Sequence, residues 1–346
     1  MNTFPKVSIL TACYNASEYL QRYLDSILQQ TYPNIELILV NDGSVDNTAE
    51  IIDINYSSFN KRGYSLVSIY TPDLGAGGAF DAGLKLVTGE YFCWCDPDDF
   101  FSPDYVSQKV SYFENHPEVS LVRCNGYCVP EHNISSIICP LVTDEIDKAS
   151  SNLFLNSIDE KHSHISGNMV RTADFDKVVA NRSIYPSRFG QNWQLLLPMF
   201  YYFKTGFIDS PLIYIVERAA SHSRSVNYKS PIDKRIERFN GYEDILLHTI
   251  PALNLPLNEQ IKLINHVRIK YIRIRMREYA SESDVNHVKQ EFEMLKELTT
   301  ISLNDKITLI IAPIGKLISA FQVPLMWAYY KFSLVRLLAR KILMHL

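Results

Sequence analysis

A chain of 346 residues, 47% hydrophobic and 21% charged, has the make-up of a folded globular protein with one large or two modest domains, not of a disordered tract. A formal net charge of −4 lacks the basic footprint of a nucleic-acid binder, so no nucleic acid is expected as partner. The charge is uneven: residues 306–346 hold Lys306, Lys316, Lys331, Arg336, Arg340 and Lys341 and no acid, so that tail carries +6 and the first 305 residues −10. A basic, apolar tail on an acidic body points to a membrane surface.

In chain order, residues 7–10 read as a short apolar strand, followed by the turn Thr11-Ala12-Cys13-Tyr14-Asn15. Asn15 or Ser17 is suited to cap the next helix, in which Leu20, Tyr23, Leu24, Ile27 and Leu28 share a face. Residues 35–40 form a second apolar strand that delivers Asn41-Asp42-Gly43-Ser44, and a helix is expected over 48–54 and a third strand over 65–70. The glycines of Asp73-Leu74-Gly75-Ala76-Gly77-Gly78 predict a flexible loop that opens a helix over 79–87. Strand and helix alternating over ~100 residues is a βαβ series, hence a parallel sheet with covered faces.

The most informative stretch is 91–101, Tyr-Phe-Cys-Trp-Cys-Asp-Pro-Asp-Asp-Phe-Phe. Its apolar run without alternation suits a strand buried on both faces. Ligands bind outside the carboxyl ends of such strands, where Asp96, Asp98 and Asp99 stand. Three close carboxylates repel one another unless a cation is present, and a divalent metal carrying phosphate oxygens fits; the plainer alternative is a polar turn after a core strand. Ser102, Pro103 and Asp104 then mark a helix start. The six cysteines lack paired zinc spacing and the N-terminus does not resemble a signal peptide, so a reducing cytoplasm is the expected setting.

Four segments together resemble the family 2 inverting glycosyltransferases of bacterial surface-glycan type: Val7-Ser-Ile-Leu-Thr-Ala-Cys-Tyr-Asn15, Leu39-Val-Asn-Asp-Gly-Ser-Val-Asp-Asn-Thr48, Gly77-Gly-Ala-Phe-Asp-Ala-Gly-Leu-Lys-Leu-Val-Thr-Gly-Glu-Tyr91 and the acidic Asp96-Pro-Asp-Asp99, a DXD-type motif. The resemblance covers residues 5–125 most firmly and thins towards 225. It implies the A-type nucleotide-sugar-binding fold, an α/β protein with a mostly parallel Rossmann-like sheet, helices on both faces and a helical C-terminal region. By position, Ala12, Tyr14 and Asp42 would hold the nucleotide base, Asp42 accepting from its imide N–H; Asp96 would sit near the ribose, and Asp98 would bind Mn²⁺ or Mg²⁺ beside the diphosphate. Gly75, Gly77 and Gly78 either allow close approach of the nucleotide, Gly78 foremost, or simply start a helix. The family has an amide or basic residue where Asp81 stands, and a carboxylate cannot donate there.

The acceptor half departs further. Residues 189–199 resemble the helix on which a Glu-Asp pair supplies the catalytic base, but the matching positions are Gln191 and Asn192. Amides orient a hydroxyl and cannot take its proton, so Asp99, Asp176 and Glu217 are the substitute acids to consider. His164 reads as structural within 164–171, a possible strand; 207–216 reads as another strand, and Glu217-Arg-Ala-Ala-Ser-His-Ser-Arg224 resembles the segment that closes over the diphosphate. There His222 would complete the metal site or contact phosphate, and Arg218 or Arg224 would neutralise phosphate. The implied domains are a catalytic domain over 1–225 (nucleotide-sugar half 1–125, acceptor half 126–225), a helical extension over 226–305 and the tail. In the extension, Ile261, Ile264, Val267, Tyr271 and Ile274 fall on one helical face. Pro313, Lys316 and Pro324 interrupt the tail, so no transmembrane span of ~20 residues is expected. Its last helix suits an in-plane membrane contact, or docking on the protein or a partner.

The expectation is a metal-dependent, inverting transferase moving sugar from a nucleotide-sugar, of UDP type by family, to a hydroxyl of a glycan or lipid-linked acceptor, peripheral at the inner face of the plasma membrane. A sugar-nucleotide-binding protein with weak or lost catalysis is the alternative that Gln191 and Asn192 raise. A sugar nucleotidyltransferase fits less well, because Ala12-Cys13-Tyr14-Asn15 is not a glycine-rich basic loop.

Overall fold

The computed structural model describes residues 4–143, 148, 152–161, 167–218 and 230–316. The chain divides into two compact units, Met1–Ser221 and His222–Leu346.

In the first unit, strand β1 (Val7–Cys13) leads to α1 (Leu20–Leu28), β2 (Ile35–Asp42), α2 (Thr48–Arg62), β3 (Ser65–Thr71), α3 (Gly75–Leu84) and β4 (Tyr91–Trp94). These four strands are parallel, in the order β3-β2-β1-β4. Period-two alternation splits their apolar residues between two covered faces. Val7, Ile9, Leu37, Leu39 and Cys93 enter a core with Leu20, Tyr23, Leu24 and Phe59 from α1 and α2. Leu10, Ile38, Val40, Phe92 and Trp94 enter another with Ala79, Phe80 and Leu84 of α3. β2 is buried along its whole length, whereas β3 is the partly exposed edge.

The chain continues through β5 (Phe100–Phe101), α4 (Tyr105–Asn115), β6 (Val119–Pro130), β7 (Cys139–Pro140), α5 (Leu153–Ile158), β8 (Met169–Arg171), α6 (Thr172–Val178), α7 (Gln191–Tyr202) and β9 (Lys204–Glu217). The sheet extends as β4-β8-β6-β9-β5, with β7 on β6. Antiparallel β8 joins the two halves by pairing β4 and β6. The fold is thus the expected α/β sheet, parallel in its first half and mixed in its second.

Three local expectations are corrected. Neither Asn15 nor Ser17 caps α1, whose N-cap is Tyr19 without a side-chain bond; Asn15 instead takes positive φ and spends its side chain on Val45 N–H. Helix α3 starts at Gly75, not after the glycines. α4 begins at Tyr105, with no side-chain cap from Asp104.

The second unit contains α8 (Ile232–Ala252), α9 (Leu257–Ser281), α10 (Val285–Leu298) and α11 (Leu303–Ile311). The buried face of α9 is Leu263, Val267, Tyr271, Ile272, Arg275, Met276 and Ala280, rotated from the expected stripe, and Ile261 is exposed. Ile307, Leu309, Ile310 and Ile311 are buried in α11, so the apolar stretch from 306 begins as core of this unit. None of the described helices is long and apolar enough to cross a membrane. The expected terminal helix, His164, His222 and Arg224 lie outside the described residues.

Candidate active site

The loops at the carboxyl ends of β1 and β2 are laced together. Asn15 N–H donates to Ser44 Oγ (2.9 Å), Ala16 N–H to Thr48 Oγ1 (2.8 Å) and Ser17 N–H to Asp46 Oδ2 (3.0 Å). Burial works against the Asp46 charge, but the Thr48 hydroxyl and Ser17 N–H outweigh it and hold the carboxyl low, at about 2. Ala12 lies in β1 opposite Val40, and beyond it Tyr14 is 52% exposed, leaving a ring face open to a ligand.

Asp42, the last residue of β2, is 3% exposed. Its Oδ1 accepts from Thr71 Oγ1 (2.6 Å) and Leu74 N–H (2.7 Å), and its Oδ2 from Gly75 N–H (2.8 Å). Accepting these amides satisfies the N-terminus of α3 and accounts for its early start. The glycines serve close packing: a Cβ on Gly77 would lie 2.6 Å from Ser187 O, and one on Gly78 2.5 Å from Leu74 Cβ. The 183–188 segment therefore lies against the first turns of α3. Asp81 holds it, Oδ1 accepting from Ser183 Oγ (2.8 Å) and Ile184 N–H (2.9 Å).

The acidic turn follows β4. Asp99 N–H donates to Asp96 O (3.2 Å), and ligand oxygens of Asp96, Asp98 and Asp99 all lie within 4.8 Å of one another. β9 pins the turn: Phe100 pairs Tyr214, Phe101 pairs Ile213, and Val216 N–H donates to Asp99 Oδ1 (2.8 Å). Arg22 donates to Asp98 O (2.6 Å). Arg218, stacked 3.9 Å over Tyr19, pairs Asp98 Oδ2 and Glu131 Oε1 at 3.3 Å each. Dehydration by surrounding protein and the Asp98 carboxylate both raise the Asp96 carboxyl; its side chain still reaches solvent, so the dehydration is partial. An all-oxygen donor set of this kind fits a hard divalent cation, Mg²⁺ or Mn²⁺.

Trp94, Cys95, Asp96, Asp99, Asn192 and Ile213 line a small cavity beside the acids. Gly190 at positive φ starts α7, and Gln191 and Asn192 occupy its first turn. Trp94 Nε1–H donates to Asn192 Oδ1 (2.5 Å). Of the substitute acids, Asp99 lines this cavity. Asp176 forms a two-point ion pair with Arg182, which also holds Val87 O ahead of β4, at the far end of that strand from Asp96. Glu217 closes β9 opposite Pro130.

Sequence reasoning passed over Arg22, Arg188 and the Trp94–Asn192 bond. Arg188 Nη1 meets Asp73 Oδ1 at 3.0 Å and Nη2 meets Asp73 O at 3.2 Å. A lone arginine 115 residues from its partner leaves no local signal.

A family model for glycosyl transferase family 2 matches residues 8–216. An uncharacterized glycosyltransferase of Rickettsia typhi is 29% identical over 216 residues, 62% of this chain and 57% of its own. One of Rickettsia prowazekii is 33% identical over 135 residues, 39% and 40% of the two chains. The matches thus span about two fifths to three fifths of these relatives. Among solved structures, S. aureus TarS 1–349 in complex with UDP has TM-score 0.55 at 15% identity, over 90% of this chain and 87% of that one. The mannosyltransferase PcManGT of Pyrobaculum calidifontis, in complex with GDP-Man and Mn²⁺, has TM-score 0.50 at 14% identity over 98% and 84%. At these identities the likeness is one of fold. By the family match over residues 8–216, the chain belongs to glycosyl transferase family 2.

Proposed function

We propose that the protein transfers a sugar from a nucleotide-sugar, of UDP type, to a hydroxyl of a glycan or lipid-linked acceptor, with inversion. The observation that carries this reading is the grouping of Asp96, Asp98 and Asp99 within 4.8 Å past the end of β4, next in the sheet to β1, the strand that Tyr14 follows. Tyr14 would stack on the base and Asp42 take its imide N–H, with Ala12 backbone and Gly78 alongside. Asp96 would face the ribose, and Asp98 would hold the cation. When bound, that cation neutralises charge on the departing nucleoside diphosphate. The acceptor oxygen attacks the anomeric carbon as the bond to the diphosphate breaks, and the acceptor proton passes to a base or water. Asn192, which lines the cavity and accepts the Trp94 N–H on Oδ1, would orient a hydroxyl by donation from its NH₂ group.

That same bond favours a second reading, nucleotide-sugar binding with weak or lost turnover. A thermal-shift panel of nucleotide-sugars with and without Mn²⁺ tests the core of both, and no stabilisation by any of them would overturn both. Metal-dependent hydrolysis of a stabilising donor decides for the enzyme. For the membrane, the tail after Lys316 is proposed to bind anionic lipid on the cytoplasmic side. A chain ended there, which keeps α11, is expected to lose liposome association.

A further inference from the structure

We propose that Arg188 is a nucleotide-binding residue that works as a pair with Asp42, donating to a base carbonyl beside the N–H that Asp42 accepts, while the single open acceptor position of Asp42 favours uracil over guanine. This rests on the nucleotide-sugar reading above. The first support is the acceptor count on Asp42. A carboxylate offers about four acceptor positions. Among the described residues Thr71, Leu74 and Gly75 fill three, which leaves one, on Oδ2. One position suits one N–H. Uracil presents a single N–H between two carbonyls, whereas guanine presents two adjacent donors beside its one carbonyl and would leave one unpaired. Cytosine has no N–H at the central position.

The second support is where the guanidinium is held. Gly75, whose N–H meets Asp42, packs against the Arg188 stem, and a Cβ there would lie 2.6 Å from Arg188 Cγ. Asp42 and Tyr14 are near enough to act on the Arg188 charge, after the dominant effect of Asp73. Three anchors fix the segment that carries it. Asp81 takes Ser183 and Ile184, Gln194 clasps both Tyr185 N–H (2.6 Å) and Tyr185 O (2.8 Å), and Gly77 N–H donates to Ser187 O (2.7 Å). The acid at position 81, which cannot donate to a nucleotide, thus secures a segment that brings a donor from elsewhere. Among the described residues, Arg188 spends two of its five N–H groups, both on Asp73, and its side chain is 60% exposed. The remaining donors would serve a uracil carbonyl.

The test is calorimetric titration of the full chain with UDP, GDP and CDP in Mn²⁺, on wild type, Arg188→Ala and Arg188→Lys. Wild type is expected to prefer UDP. Arg188→Ala should weaken UDP about tenfold or more and CDP much less, because cytosine has no carbonyl beside an N–H to lose and the bond removed comes from a charged donor. Arg188→Lys should restore part of the affinity, because a point charge cannot reproduce the planar fork. UDP affinity within about twofold of wild type in the alanine variant overturns the inference, as does an equal loss for all three nucleotides, which would mark Arg188 as a merely structural strut. If wild type binds none of the three, the nucleotide-sugar reading itself falls, which separates the two failures.

Discussion

The indole N–H of Trp94 donates to Oδ1 of Asn192 at 2.5 Å, across 98 residues of sequence, and this bond fixes what the start of α7 can do. The indole fills one lone pair of the amide oxygen, and the amide has no group that takes a proton at neutral pH. Asn192→Asp would place an acid in the cavity, at a position proposed to match the family's base and within reach of the same indole. General-base assistance contributes about 10²- to 10⁴-fold. The variant is therefore expected to raise donor turnover at least about tenfold with little change in KM for the donor, read by release of nucleoside diphosphate. Turnover equal to wild type would show that the proton leaves by another route, with Asp99 the acid to substitute next.

How much of this was legible in the sequence follows from distance along the chain. That Tyr14, Asp42 and the acidic triplet gather at one edge could be read because each stands at or just past the carboxyl end of an apolar strand, and parallel strands deliver those ends to one edge. The start of α3 was misread because glycine is a poor helix former, while the amides that nucleate it are satisfied by Asp42 from another strand. The face of α9 was misread because Arg275 is counted as polar, yet it is buried by ion pairs to Glu243 of α8 and Glu291 of α10. Hydrophobic periodicity cannot see a cation that is neutralised inside. The acceptor half depends on pairings such as Trp94–Asn192 that have no local pattern at all.

Asp98 is paired with Arg218 at 3.3 Å, so a divalent cation held there would share its carboxylate with the guanidinium. In wild type, UDP with Mn²⁺ is expected to raise Tm by several degrees more than UDP with EDTA. At ligand one hundred times Kd the linkage is worth about 2.7 kcal/mol. Asp98→Ala should lose the metal-dependent increment and Arg218→Ala should retain it. An Asp98→Ala protein that kept the full increment would remove Asp98 from the metal site.

Asp42→Asn separates the structural role of this residue from the nucleotide contact proposed for it. The amide can keep one oxygen towards the α3 amides but must turn an NH₂ group at a donor that the carboxylate now satisfies. A buried, mismatched donor costs about 1–3 kcal/mol. The variant should therefore melt lower than wild type without any nucleotide present. Unchanged melting would mean that the bonds to Thr71, Leu74 and Gly75 add little stability. The nucleotide affinity of this variant is to be compared only at temperatures well below its own transition.

The helical unit carries a pH dependence of its own. Arg273 grips Asp305 at two points, 2.9 Å each, and Ser302 adds its N–H (2.9 Å) and Oγ (2.7 Å). Burial alone would raise the Asp305 carboxyl, but Arg273 and Ser302 outweigh it and hold it below the usual range. Folding therefore favours the ionised form. The stabilisation is complete above the unfolded value of about 4 and is lost as pH falls through the lower folded value. Arg273 is 37% exposed, which screens the pair, so Asp305→Asn is expected to cost only about 1–2 kcal/mol at neutral pH. Hydrogen exchange of the α11 amides reads that loss locally. The gap between wild type and variant should stay level from neutral pH down to about pH 5 and shrink below about pH 4. A gap that persisted undiminished in stronger acid would show that Asp305 holds α11 through the shape of its cap and not through its charge.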